Sequence, residues 1–522
     1  MMAAKNYNAY LSGGVRAWIS SVDAPNAAAP LTSALASLLF LISGPRPAYG
    51  IFIPLLSCVA SVVAIYYIAR QCGDRTLAIL TAIVVASTPL LVMYSRSYQF
   101  SLPATACTTL ALLCLIKSDQ GARWPWVIAF GFFVGLMPLA RTMTIAFIPG
   151  LGLGAFVYAV AALNKRLKRI GRFVVSSVVV CVTALSWLFF NGKYVADYLL
   201  SFGYGARAAE YGPKQSFFWS TVSQIKIVLD QVYAPHFIII SVGLLASLIL
   251  LLKNLVDGKH KFLSSLSSPI TPLSIFTLLS FLALCSSQNK GTGFIAPILP
   301  AANLVSVWGI LNLSAHRAYR IAVFSALCLA SAYAFLPMID LRAPMAAKTQ
   351  HWLPLFGRST FTYGGGYQQI YEEALEINTT NPGGELPPAM VAGWRQLNID
   401  TLDTVIAFMG KAPALAFGFR SGVYNVNTLG LLNDLRGQPP LYMAQIEPLV
   451  VGDEGEGYSA WLQSGLAAPA CVLLTAPGGP SDIPPYINWS LIEAAAKQRG
   501  FTSTRTLKMP MGRSVTVWTR PC

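Results

Sequence analysis

Of 522 residues, 55% are apolar and only 11% are charged, against roughly a quarter charged in soluble domains. The apolar residues collect in long runs, which excludes a soluble globular chain and points to a multi-pass membrane protein. The net charge of +16 does not signal nucleic acid, because the basic residues sit mostly between apolar runs, where orientation in a bilayer accounts for them.

Residues 1–29 are polar and mixed, with no basic stretch ahead of an apolar core, so no signal peptide is expected. Residues 30–43 are apolar but short, and read as an interfacial or re-entrant helix. Ten candidate spans follow, at roughly 49–70, 75–94, 98–117, 125–141, 143–163, 172–191, 235–253, 268–286, 293–312 and 319–337. Between the sixth and seventh lies a long outer loop, 192–234, whose part 215–233 has the apolar spacing of a helix lying on a membrane. Beyond 338 the hydropathy falls, and the tail reads as a water-soluble α/β domain. In the tail, Val405–Phe408, Cys471–Leu474 and Ser514–Trp518 read as strands, and Trp489–Arg499 as a helix stopped at Gly500. Gly364–Gly366 and Pro477–Pro480 read as loops outside any phosphate-binding frame.

The nine cysteines show no CxxC spacing and seven lie in or beside apolar runs, so neither a metal knuckle nor a disulfide framework is expected. The four histidines are scattered; no cofactor is implied and no divalent cation is indicated.

The short loops fix an orientation. Five basic residues crowd 164–172, Lys253, Lys259 and Lys261 follow the seventh run, and Arg317 and Arg320 follow the ninth. These loops are two spans apart, so all belong on the cytoplasmic side. Arg96, Arg141, segment 192–234, Lys290 and the tail then fall outside, and ten spans place the N-terminus outside too. A chain that starts outside without a signal sequence suggests a missing upstream helix. Arg96, between two apolar runs, must sit at an interface, in water or against an anion. Arg141 and Lys290 have the same predicted depth. A planar guanidinium suits phosphate, so these cations are candidate ligands for a lipid phosphate; headgroup contact or an ion pair is the plainer alternative. In segment 192–234, Tyr204, Arg207 and Glu210 form a candidate substrate loop, with an interfacial aromatic belt as the plainer alternative.

Several stretches together carry a resemblance: Asp23-Ala24-Pro25 with Ala29-Pro30-Leu31; Tyr67 to Gly73; Ser87-Thr88-Pro89 through Tyr94-Ser95-Arg96; Gly135 to Arg141; and Lys290 with Phe294 to Pro300. Over about residues 5–310 the order resembles the GT-C superfamily of glycosyltransferases, in particular glycosyltransferase family 39, which includes protein O-mannosyltransferases and the lipid A aminoarabinose transferase. The resemblance implies a polytopic helical bundle with an extracytoplasmic α/β domain. It implies transfer of a sugar from a polyprenyl-phosphate carrier to an extracytoplasmic glycan, lipid or protein, in the cell (plasma or inner) membrane. Arg96, Arg141, Lys290 and Tyr94 would then serve the donor phosphate.

Family members carry a catalytic aspartate just before a tyrosine in the first outer loop. The matching tyrosine here is Tyr7, in Ala4-Lys5-Asn6-Tyr7; the aspartate, a few residues upstream, would fall at or before residue 3, where the chain reads Met1-Met2-Ala3, so that aspartate is absent. A start downstream of the true one would explain both this and the stranded N-terminus. Asp23 is the nearest remaining carboxylate and the candidate general base, although Asp-x-Pro is also a common turn former. The expected division is 1–44 for a truncated first outer loop and interfacial helix, 45–338 for the transmembrane bundle and 339–522 for the soluble domain. Two rival classes are a transporter or flippase for a lipid-linked or anionic substrate, and an inactive accessory protein. The first needs charges at span centres, whereas here they collect at span ends.

Overall fold

The computed structural model describes residues 2–162, 164–205, 208, 214–256, 266–291, 293–339, 348–353, 357–362, 388–408, 414–419, 421, 424–439, 441–446, 456–464, 467–476, 489–512 and 514–521. The chain divides into two compact units: Met1–Trp18, Gly44–Arg46 and Gln368–Cys522 form one, and Ile19–Ser43 with Pro47–Tyr367 form the other.

The larger unit is helical. The chain starts with α1 (Met2–Val22), which is broken at Gly13 and Gly14 and of which only Ile19–Val22 belong to this unit. Then come α2 (Leu31–Ser43), α3 (Pro47–Gly50), α4 (Phe52–Cys72), α5 (Arg75–Ala86) and α6 (Pro89–Ser95). Then follow α7 (Ser101–Lys117), α8 (Trp124–Ala140), a 3₁₀ turn (Thr142–Phe147), α9 (Ile148–Val160), α10 (Arg166–Gly203), α11 (Phe217–Val256), α12 (Ile270–Ser286), α13 (Leu299–Asn312) and α14 (Arg317–Ile339). The ten apolar runs fall mainly on α4 to α14, with 75–94 split between α5 and α6. Five helices are long and apolar enough to cross a membrane, six if the bent pair α5–α6 counts as one. Shorter apolar helices of 10–17 residues complete the set, and the chain is a multi-pass membrane protein.

Two corrections concern this unit. Segment 192–234 is not mainly loop: α10 runs on to Gly203, and α11 begins at Phe217. The amphipathic stretch does form a helix, which kinks into the next apolar run at Tyr233 (φ 62, ψ 160). The run 75–94 is bent by 60° between Ala86 and Pro89. Proline lacks the amide the ladder needs, and the Ser87 and Thr88 hydroxyls turn back to the Ile83 and Val84 carbonyls, both at 2.8 Å. Buried side chains then stitch the break. His236 Nε2 lies 3.1 Å from Ser87 Oγ and 3.2 Å from the Val84 carbonyl, and Asn303 Nδ2 donates to Thr88 Oγ1 at 3.2 Å. The bend sets the direction of α6, which delivers Tyr94 and Arg96.

Without water to drive helices together, membrane helices associate through close packing of small residues. Helices α11 and α13 pack this way. A Cβ added at Gly243 would lie 2.4 Å from Ser306 Cβ, and one at Gly309 would lie 2.3 Å from Ser247 Oγ. The core runs through α4, α5, α7, α8, the 3₁₀ turn, α9, α12 and α13, with Ile65, Leu80, Leu102, Leu115, Phe147 and Phe276 fully enclosed. A two-stranded antiparallel hairpin, β1 (Lys348–Leu353) and β2 (Gly357–Thr362), also belongs to this unit.

The smaller unit holds a five-stranded sheet in the order β4-β3-β5-β7-β6. Its strands are β3 (Ala414–Phe417), β4 (Tyr442–Gln445), β5 (Val472–Thr475), β6 (Thr502–Lys508) and β7 (Ser514–Thr519). β4, β3 and β5 are parallel, whereas β7 runs antiparallel to β5 and β6. Helices α15 (Pro388–Phe408), α16 (Val426–Leu435), α17 (Glu456–Trp461) and α18 (Trp489–Gln498) complete it. Phe417, Phe419 and Tyr424 cluster in its core with ring centroids 5.6–5.7 Å apart. The strands expected near 471–474 and 514–518 and the helix ending before Gly500 (φ +77) are present. Val405–Phe408 is not a strand but the last turn of α15, in which Thr401 and Thr404 bond back to Leu397 and Asp400. Cys471 is disulfide-bonded, against the expectation of no disulfide framework. Gly364–Gly366 and Pro477–Pro480 lie outside the described residues.

Candidate functional site

Arg141 caps the C-terminus of α8, where the backbone turns extended (φ −157, ψ 116) before the 3₁₀ turn. Its guanidinium donates to Ser101 Oγ at the start of α7 and to the Gly293 carbonyl at 3.0 Å, and sits 4.6 Å from the Phe294 ring centroid. Three separate stretches therefore hold one cation at one end of the bundle. The Tyr94 and Tyr198 phenols both interact with it electrostatically.

Tyr94, from the far end of bent α6, packs against the same turn. Gly293 has φ +77, and a Cβ there would fall 2.2 Å from Tyr94 Cε2 and 2.7 Å from its hydroxyl oxygen. Only glycine satisfies both the left-handed backbone and the approach of the ring. The Gly293 amide donates to Gln231 Oε1 on α11 at 3.3 Å.

Arg96 caps α6 and donates to the Met338 carbonyl near the end of α14. It precedes Ser101 by five residues, so Arg96 and Arg141 lie at the same end of the bundle. Lys290 donates to the Leu284 carbonyl at 3.2 Å and the Ser287 carbonyl at 2.9 Å, closing the C-terminus of α12 as a cation does at that end of a helix dipole. Burial lowers its pKa. The exposed Tyr204 donates to or accepts from Ser286 Oγ at 2.9 Å, and the Gln288 amide donates to the Gly203 carbonyl at 3.0 Å. Segment 286–294 thus strings together Tyr204, Lys290 and the Arg141 turn. Arg207 and Glu210 lie outside the described residues.

Asp23 lies in the turn between α1 and α2. Asn191 of α10 clamps that turn, accepting from the Asn26 amide at 2.8 Å and donating to the Asp23 carbonyl at 3.3 Å. One turn to either side of Asn191, Trp187 and Val195 pack with Leu139, two residues before Arg141. The Asp23 turn therefore shares the Arg141 end of the bundle. Its carboxylate makes no hydrogen bond or ion pair among the described residues, and partial burial raises its pKa.

The opposite end is built differently. At the start of α8, Arg172 donates to the Gly121 carbonyl at 2.9 Å and lies 5.7 Å from the Trp124 ring, while Arg169 donates to the Asp119 carbonyl at 2.9 Å. Lys117 sits between the Tyr67 and Trp126 rings, 5.9 and 5.8 Å from their centroids. Helix α8 separates these groups from Arg141 by 17 residues, about 25 Å at 1.5 Å per residue. Among the described residues no group of three or more His, Cys, Asp or Glu side chains is arranged to hold a metal ion.

Ser101, Gln231 and Asn191 carry no sequence signal of their own. Gly293 had one, as the last glycine of Gly291-Thr292-Gly293 just ahead of the Phe-x-x-Pro stretch.

Residues 25–187 match the family model described as dolichyl-phosphate-mannose-protein mannosyltransferase. No curated protein matches the chain in sequence. The fold is similar to the crystal structure of ArnT from Cupriavidus metallidurans in the apo state, with a TM-score of 0.53 at 13% identity over 99% of this chain and 92% of that one. It is equally similar to that protein bound to undecaprenyl phosphate, with a TM-score of 0.53 at 14% identity and the same coverage. The match over 25–187 and the shared fold bear out the resemblance carried by Tyr94-Ser95-Arg96: part of the chain matches a mannosyltransferase family model, and its fold is similar to that of ArnT.

Proposed function

We propose that this protein transfers a sugar from a polyprenyl-phosphate carrier to an acceptor at the non-cytoplasmic face of the cell membrane. The observation that carries the reading is the convergence of Ser101, Gly293, Phe294 and Tyr94 on Arg141 at the end of a membrane helix. A cation held there by Ser101, the Gly293 carbonyl and the Phe294 ring is suited to an anion at the lipid surface. The matched family description names a dolichyl-phosphate sugar and the ArnT structure holds undecaprenyl phosphate, so both relatives handle a lipid-borne phosphate.

In the reaction, an acceptor hydroxyl attacks the anomeric carbon while the bond from that carbon to the phosphate oxygen breaks. The departing polyprenyl phosphate gains negative charge, which a preorganised cation stabilises most as it develops. Arg141 takes that role, Arg96 reinforces the potential at the same end, and Lys290 and Tyr204 line the approach along 286–290. Asp23 accepts the acceptor proton as general base: its carboxylate lies at the same end, and its raised pKa strengthens it as a base.

In this reading the C-terminal domain lies outside the cytoplasm. The disulfide at Cys471 supports this, since such bonds persist in oxidising compartments. The decisive experiment reconstitutes the full chain with a radiolabelled polyprenyl-phosphate sugar and compares wild type with Arg141→Gln. Equal transfer by both would remove Arg141 from the mechanism.

A further inference from the structure

Arg141 does not hold its position alone. Its backbone acceptor, the Gly293 carbonyl, and its ring partner, Phe294, belong to one turn. That turn pivots on a glycine in the left-handed region, the residue with the most backbone freedom. Something outside the turn must fix it. Tyr94 blocks one side of the Gly293 Cα, and the amide is held by the buried Gln231 from the last turn of α11 before its kink. The chain of contacts runs from Gln231 Oε1 to the Gly293 N–H, through that residue to its carbonyl, and on to Arg141 Nη1.

We propose that Gln231 is a positioning residue for Arg141, acting through the backbone of Gly293. Removing its acceptor leaves a buried amide without a partner, and the turn rotates to find another. The Gly293 carbonyl and the Phe294 ring rotate with it, and the guanidinium loses its set direction. This inference rests on Arg141 being the phosphate ligand, and the experiment separates the two.

The test is a double-mutant cycle on the purified full-length protein, with undecaprenyl phosphate as the probe and affinity read from tryptophan fluorescence. Arg141→Gln weakens binding by tenfold or more if Arg141 meets the phosphate. Gln231→Leu weakens it by about tenfold, within the range for coupled neighbours. In the Arg141→Gln background, Gln231→Leu has no further effect, because its route to the ligand is already gone. A purely structural role would weaken both backgrounds by the same factor, and that result overturns the inference. So does a folded Gln231→Leu protein that binds as tightly as wild type. If the leucine variant does not fold, Gln231→Met, closer in shape, takes its place in the cycle. Wild-type binding by Arg141→Gln alone defeats the phosphate reading, and the inference with it, without reference to Gln231.

Discussion

Gly293→Ala is the sharpest single perturbation of this site. A left-handed backbone at φ +77 costs a non-glycine residue roughly 1–2 kcal/mol. The new methyl group would also stand 2.2 Å from a ring carbon of Tyr94, which is itself 95% enclosed, so ring or turn must shift. Overpacking of a well-filled site costs about 1–3 kcal/mol. The two effects together amount to about 2–5 kcal/mol, spent mostly on moving the turn rather than unfolding the bundle. The Gly293 carbonyl is an Arg141 acceptor, so a shift of the turn moves the guanidinium. A misplacement of about 1 Å at a reacting centre can cost about 100-fold in rate. The assay is sugar transfer by reconstituted protein, with thermal melting in detergent measured alongside. The expected outcome is a loss of transfer of about 10- to 100-fold with a smaller loss of thermal stability. An alanine variant that melts and transfers like wild type would show that neither the close approach nor the backbone conformation matters to Arg141.

Three further outcomes are expected. Gly309→Ala pushes a methyl group onto Ser247 Oγ and the Gly243 backbone, at 2.3 and 2.4 Å, and lowers melting stability by about 1–3 kcal/mol, while Ala301→Gly on the same helix does not reproduce the clash. Asp434, near the C-terminus of α16, has a raised pKa because of its burial, with Lys5 pulling the other way. Its folded pKa exceeds the unfolded one, so its contribution to stability is present in full below the unfolded value near 3.8 and is lost as pH rises through the folded value. Asp434→Asn therefore raises the melting temperature at pH 7 and has little effect near pH 4; an equal change at both values would disprove a buried-charge origin. Finally, a membrane-impermeant label on a cysteine engineered at Ser503, an exposed position of β6, reacts in intact cells if the domain is extracytoplasmic, and labelling only after lysis would place the domain inside.

The helical bundle was legible because lipid exposure forces long apolar runs, and the runs fall mainly on helices, five or six of them long enough to span. Even the break in 75–94 is written in Ser87-Thr88-Pro89. The tail was harder, because a four-residue apolar run does not distinguish a strand from a helix end. Val405–Phe408 is helical, continuing a segment that starts at Pro388, whereas the fully buried strand Ala414–Phe417 is half alanine and carries little strand signal. Residues 2–22 form two helical stretches, broken at Gly13 and Gly14, that their mixed polarity did not announce. Arg141 stood out in sequence because a cation at the end of an apolar run is costly and must have a use. Its supports did not stand out. Ser101 and Gln231 are ordinary polar residues, and only the meeting of α7, α11 and segment 287–298 gives them a role. Lys290 is the reverse case: conspicuous in sequence, it closes the end of α12 in the structure.

The central claim is that the Arg141 end of the bundle receives a lipid-borne phosphate. The most direct measurement is the affinity of the purified protein for undecaprenyl phosphate, set beside that of Arg141→Gln. Saturable binding that drops by tenfold or more in the variant is the predicted result. Binding of equal strength in both proteins, or none in the wild type, would contradict it.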